Sequence, residues 1–109
     1  MLVLGFVVLS FTVALGSCLI GGKFYRHAVV HGLSGALGLG AICLAFGHGP
    51  LTGKFAGDVV VLLGAALAGG LAMVVLARRG VSRPALLVAL HGMAGGLGYL
   101  LLFGFVFGH

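Results

Sequence analysis

Residues 28–47, AVVHGLSGALGLGAICLAFG, and residues 85–107, ALLVALHGMAGGLGYLLLFGFVF, decide the fold. Each is close to the roughly 20 apolar residues that carry a helix across a bilayer. Each also contains the motif H-G-x-x-G-x-L-G, at 31–38 and again at 91–98. Working outward, two more apolar runs of similar length, 1–22 and 56–77, precede them. Apolar residues make up 61% of the 109-residue chain, Gly contributes 22 residues and charged residues only 6%, too little polar surface to solvate a water-soluble domain. The reading is a single transmembrane domain, 1–109, of the all-α class: a transmembrane four-helix bundle built from two tandem hairpins related by a parallel internal repeat.

The first run contains Leu15-Gly16-Ser17-Cys18, small residues of the kind found at processing and lipidation sites. Its leading segment MLVLGFVVL carries no Lys or Arg, unlike the positive start of an export signal, so it is expected as a retained first helix. Lys23 and Arg26 separate the first two runs, and Arg78, Arg79 and Arg83 separate the last two. The middle connection has Lys54 alone, with Asp58 four residues on. Five positive residues against one is an inside signal, placing both termini outside, in the periplasm of a bacterial inner membrane. The net charge of +5 is then topogenic, with anionic headgroups as counter-charge, and implies no nucleic-acid partner.

An even number of spans per repeat keeps the second and fourth helices parallel. At 1.5 Å per residue His31 lies about 7.5 Å beyond Arg26 and His91 about 12 Å beyond Arg83, within roughly one turn of the same depth. In a bundle with short loops these helices are diagonal neighbours, so the two imidazoles can face each other across the core. Histidine in hydrocarbon is costly and marks a site, and two equivalent histidines are what bis-imidazole ligation of a haem iron requires, each through Nε2. Gly35 and Gly38 follow His31, and Gly95 and Gly98 follow His91, within about 40° of the histidine's own direction, leaving a flat groove for a porphyrin edge. The competing use of the same glycines is as small-residue packing seams between helices.

A small antiparallel membrane bundle with matched histidines on diagonal helices and glycine one turn later resembles the b-type membrane cytochromes. These include the cytochrome b561-like group and the haem-anchoring subunits of membrane dehydrogenases. The resemblance covers the architecture of the whole chain and, in detail, the two eight-residue motifs. It implies haem b held by His31 and His91, with electrons passed between a quinone pool and a partner redox subunit. His27, one turn from His31 on the same face, is then a candidate for the haem propionates together with Arg26, Lys23 or the Arg78 and Arg79 pair. His48 and His109, in the contexts FGHG and FGH, form a weaker second pair at the opposite surface.

Other chemistry is sparse. Asp58 is the only carboxylate side chain, which excludes paired-carboxylate catalysis, and a local pair with Lys54 and the helix dipole account for it. Cys18 and Cys43 sit at different depths and read as small apolar residues. Tyr99 is a core aromatic that can also hydrogen-bond a quinone. Met93 lies roughly 200° around the helix from His91, which argues against a His/Met ligand set. The small multidrug-resistance transporters have the same size, but their antiport needs an acidic residue in the first helix, and none stands there. The stronger alternative is a non-catalytic accessory subunit of a larger membrane complex. Either way the chain is not an enzyme alone and makes lateral contacts in the bilayer, with other subunits or further copies of itself.

Overall fold

The computed structural model describes residues 1–19, 25–49, 53–82 and 84–108, with residues 25 and 26 described by backbone alone. It is an all-α bundle of four helices: α1 (Leu2–Leu19), α2 (Tyr25–Gly47), α3 (Ala56–Arg78) and α4 (Ala85–Phe107). All four are long and apolar enough to cross a membrane, and the bundle measures 44 × 21 × 20 Å. With no water in the hydrocarbon, a helix is the structure that satisfies every backbone donor within its own segment.

One boundary differs from the reading of the apolar runs. α2 begins at Tyr25, not 28, so Arg26 and His27 lie inside the helix. The backbone keeps its helical hydrogen bonds past the end of the apolar run. α3 stops at a glycine: Gly80 takes φ +71°, its N–H donates to Ala77 O at 3.1 Å, and Val81 N–H donates to Leu76 O at 2.9 Å. That pair of bonds is a Schellman ending, which needs a left-handed residue at this place.

The helices pair as α1 with α2 and α3 with α4, and the two hairpins meet along thinner α2–α3 and α1–α4 seams. α2 and α4 stand diagonally. The repeat is visible in the packing itself, at a constant shift in residue number of 54 between α1 and α3 and of 60 between α2 and α4. A Cβ on Gly38 would lie 2.7 Å from Leu9 Cγ, and one on Gly98 3.0 Å from Leu63 Cγ. Gly35 faces Thr12 at 3.4 Å as Gly95 faces Ala66 at 3.6 Å. The two hairpins are copies of one unit about an axis running along the bundle.

Large apolar side chains point outward, Leu37 being 72% and Leu86 71% exposed, while small and hydroxyl residues such as Ala41, Ala45, Ala66, Thr12 and Ser34 are buried. Lipid is as apolar as leucine, so association selects close-packing residues rather than hydrophobic ones. Ile42, Val59 and Leu102 fill the centre near the termini. The core is one-sided. Every described buried residue lies level with the paired histidines or on their termini side. Toward the α1–α2 and α3–α4 connections, hereafter the basic end, none is buried among 13–19, 27–30, 67–82 and 84–90.

The seams break the symmetry. Along α1–α4, Ser10 Oγ donates to Phe6 O at 2.8 Å, so Tyr99 Oη, 2.7 Å away, donates to Ser10. The Phe6 ring stacks on Tyr99 with centroids 5.5 Å apart. At the equivalent α2–α3 positions stand Gly64, Val60 and Leu39. Tyr99→Phe is expected to keep the stack and lose the hydroxyl bond, lowering stability by about 0.6–1.5 kcal/mol. Reversible unfolding in mixed micelles measures this, and an unchanged midpoint would show that the bond contributes nothing to the seam.

Candidate functional site

His31 and His91 meet at the inner limit of the packed core. Their ring centroids are 5.8 Å apart and their planes cross at 78°. Both are half-buried. His31 Nδ1 lies 2.8 Å from the Thr12 carbonyl oxygen, and His91 Nδ1 lies 2.6 Å from that of Ala66. Thr12 and Ala66 are equivalent residues of α1 and α3, so the repeat extends to these bonds. A carbonyl only accepts, and therefore Nδ1 carries the proton in both rings. In a neutral imidazole that leaves Nε2 as the lone-pair nitrogen, the tautomer in which histidine ligates a metal.

The rings lie against glycine. A Cβ on Gly16 would come 2.8 Å from His31 Cε1, and one on Gly70 would come 3.3 Å from His91 Cε1. Gly69 sits beside the His91 Cβ at 3.4 Å. Gly16 and Gly70 are again equivalent, each one turn beyond the residue whose carbonyl holds the ring. Sequence reading missed these glycines and the two carbonyls. The signal available for Gly16 and Gly70 was their common place in the repeat, whereas a backbone acceptor leaves no mark in side-chain identity.

The four motif glycines serve the hairpins. In place of an open groove beyond each histidine, Gly38 receives Leu9, Gly98 receives Leu63, and Gly35 and Gly95 meet Thr12 and Ala66. The face of α2 that carries His31 turns toward α1, its hairpin mate, and the same holds for α4 and α3. Thr12 and Ser34 hydroxyls, 2.7 Å apart and buried, add a polar tie to the first hairpin. Ala66 and Ala94 stand at the equivalent places in the second.

The remaining candidates are spread out. His27 is exposed and lines a cleft of about 370 Å³ with Leu15, Cys18 and Leu19 at the basic end. The Arg26 side chain and His109 lie outside the described residues, and His48 is exposed just beyond α2. Cys18 and Cys43 are both free thiols. Asp58 sits in the first turn of α3, where the helix dipole favours it.

Among the described residues no group of three His, Cys, Asp or Glu side chains converges. Two imidazoles are too few for zinc, which takes three or four protein ligands. They are the protein's full share for a six-coordinate haem iron, whose porphyrin supplies the other four nitrogens. The donor set therefore fits, and the shorter end of the bundle beside it, toward the basic connections, has no buried side chain among the described residues. No protein-family model matches this chain, and no curated protein or solved structure matches it either.

Proposed function

We propose that this chain is a membrane b-type haem protein that carries electrons between the quinone pool and a partner redox protein. The observation that carries this reading is the pair of symmetry-related imidazoles, each anchored through Nδ1 to a backbone carbonyl and meeting between diagonal helices. His31 and His91 would hold the iron, and the haem would supply one-electron chemistry there. The Thr12 and Ala66 carbonyls set ring orientation and the tautomer that leaves Nε2 free to ligate. Gly16, Gly69 and Gly70 let the rings lie close to α1 and α3. Gly35, Gly38, Gly95 and Gly98 hold each hairpin closed, so that the rings are placed by rigid helices. His27 and Arg26, at the basic end, are the counter-groups for the propionates. The apolar outer surface seats the chain among lipids and neighbouring subunits, with the basic end cytoplasmic in a bacterial inner membrane.

A reduced-minus-oxidised absorption spectrum of protein purified in detergent tests the reading. A narrow α band of low-spin bis-imidazole haem, at one haem per chain, is expected. Colourless protein that takes up no added haem overturns it. That result favours the accessory-subunit reading, which one observation also supports: each histidine already ties its own hairpin through a carbonyl bond.

A further inference from the structure

The site is not central in the bundle. His31 is six residues from the start of α2 and sixteen from its end, and His91 stands likewise in α4. At 1.5 Å per residue this is about 9 Å from the basic end and about 24 Å from the other. Packed core separates the histidines from the termini end: Leu9, Ile42, Ala45, Val59, Leu63 and Leu102 all lie there. Electron transfer through protein falls exponentially with distance, so exchange with anything in water is confined to the near end.

That end is also the charged one. Arg78 and Arg79 close α3 and are exposed, and the sequence puts Lys23 and Arg83 in the two connections at this end and Arg26 in the first turn of α2. The opposite end offers Lys54, offset by Asp58. We propose that the partner is an acidic, water-soluble one-electron carrier protein that docks on Arg78 and Arg79. In the productive encounter the reduced carrier would give up one electron, and the haem that His31 and His91 would hold would accept it, with no proton moved. Long-range attraction between opposite charges steers such an encounter and is screened by salt. The inference rests on the haem reading for the electron step, while the docking itself does not need haem.

The test uses the full chain in nanodiscs of zwitterionic phosphatidylcholine, with an acidic plant-type [2Fe–2S] ferredoxin as the probe. Stopped-flow reduction of the wild-type protein is expected to be fast at low salt and to slow steeply as salt rises. Arg78→Glu with Arg79→Glu, compared with wild type at equal haem content, should slow reduction by at least about tenfold and flatten the salt dependence. Lys54→Glu, at the far end, should match wild type. A second readout is ferredoxin binding to discs by interferometry, in wild type and in a His31→Ala, His91→Ala variant, both of which should bind in a salt-dependent way that the arginine substitutions abolish. Failure of haem uptake with binding retained removes the proposed function and leaves the docking surface standing. Equal binding with and without the arginines, an equal effect of Lys54→Glu, or no ferredoxin binding to the wild-type discs would overturn the proposal.

Discussion

Replacing His31 or His91 with alanine is expected to abolish the low-spin α band of the proposed haem, each as completely as both together. Six-coordinate iron needs both axial nitrogens, so either loss removes the low-spin state, and the affinity for haem is expected to fall by more than about 100-fold, beyond the range seen for changes behind the ligand shell. His27→Ala, exposed in the cleft beside Cys18, should retain the band, because its ring is not an iron ligand. Stability reports separately. Loss of either ring also leaves a gap beside Gly16 or Gly70 and removes the bond to Thr12 O or Ala66 O, at a cost of about 1–3 kcal/mol. Helix content by circular dichroism should stay near wild type. An α band surviving in either single variant would show that the two rings do not share one iron.

Gly38→Val and Gly98→Val should each damage one of the two hairpins at equivalent places. A Cβ at Gly38 meets Leu9 Cγ at 2.7 Å and Cδ2 at 2.8 Å, and one at Gly98 meets Leu63 at 3.0 Å and Leu62 Cβ at 3.2 Å. Leu9 is 5% and Leu63 6% exposed, so neither side chain has room to retreat. Overpacking of this kind costs roughly 1–3 kcal/mol at each site, and the two should add, since they lie in different hairpins. Gly40→Val is the control: nothing lies within 4 Å of a Cβ there, and the effect should be near zero. Leu9→Ala placed in the Gly38→Val background should recover part of the loss. Equal unfolding midpoints for Gly38→Val and Gly40→Val would contradict the seam. Because each seam helps to place a histidine, haem affinity should fall in both hairpin variants and not in Gly40→Val.

Much of the fold is legible in the chain because a bilayer imposes few solutions. The scarcity of charge forces membrane spans, the positions of Lys23, Arg26, Arg78, Arg79 and Arg83 divide them, and the repeated H-G-x-x-G-x-L-G places His31 and His91 on parallel, diagonal helices. The site was legible only in part. The motif glycines suggested a ligand groove, yet Gly38 and Gly98 are filled by Leu9 and Leu63, and the rings rest instead on Gly16, Gly69 and Gly70 of the other two helices. The seam built on Ser10 and Tyr99 joins residues 89 positions apart, beyond any local pattern.

What the sequence by itself determined is membrane class, the number and approximate length of the helices, their up-and-down order, and the shared depth of the two histidines. Tertiary structure alone decided how each helix is turned about its axis, and so which glycines pack, which carbonyls hold the imidazoles, and on which side of the histidines the core is filled. The physical reason is that lipid and protein interior are alike in polarity. A soluble helix declares its buried face through an apolar stripe, but here leucines stand on both sides, Leu37 and Leu86 outward and Leu9, Leu63 and Leu102 buried, and only the fit of the packed surfaces against one another selects the rotation.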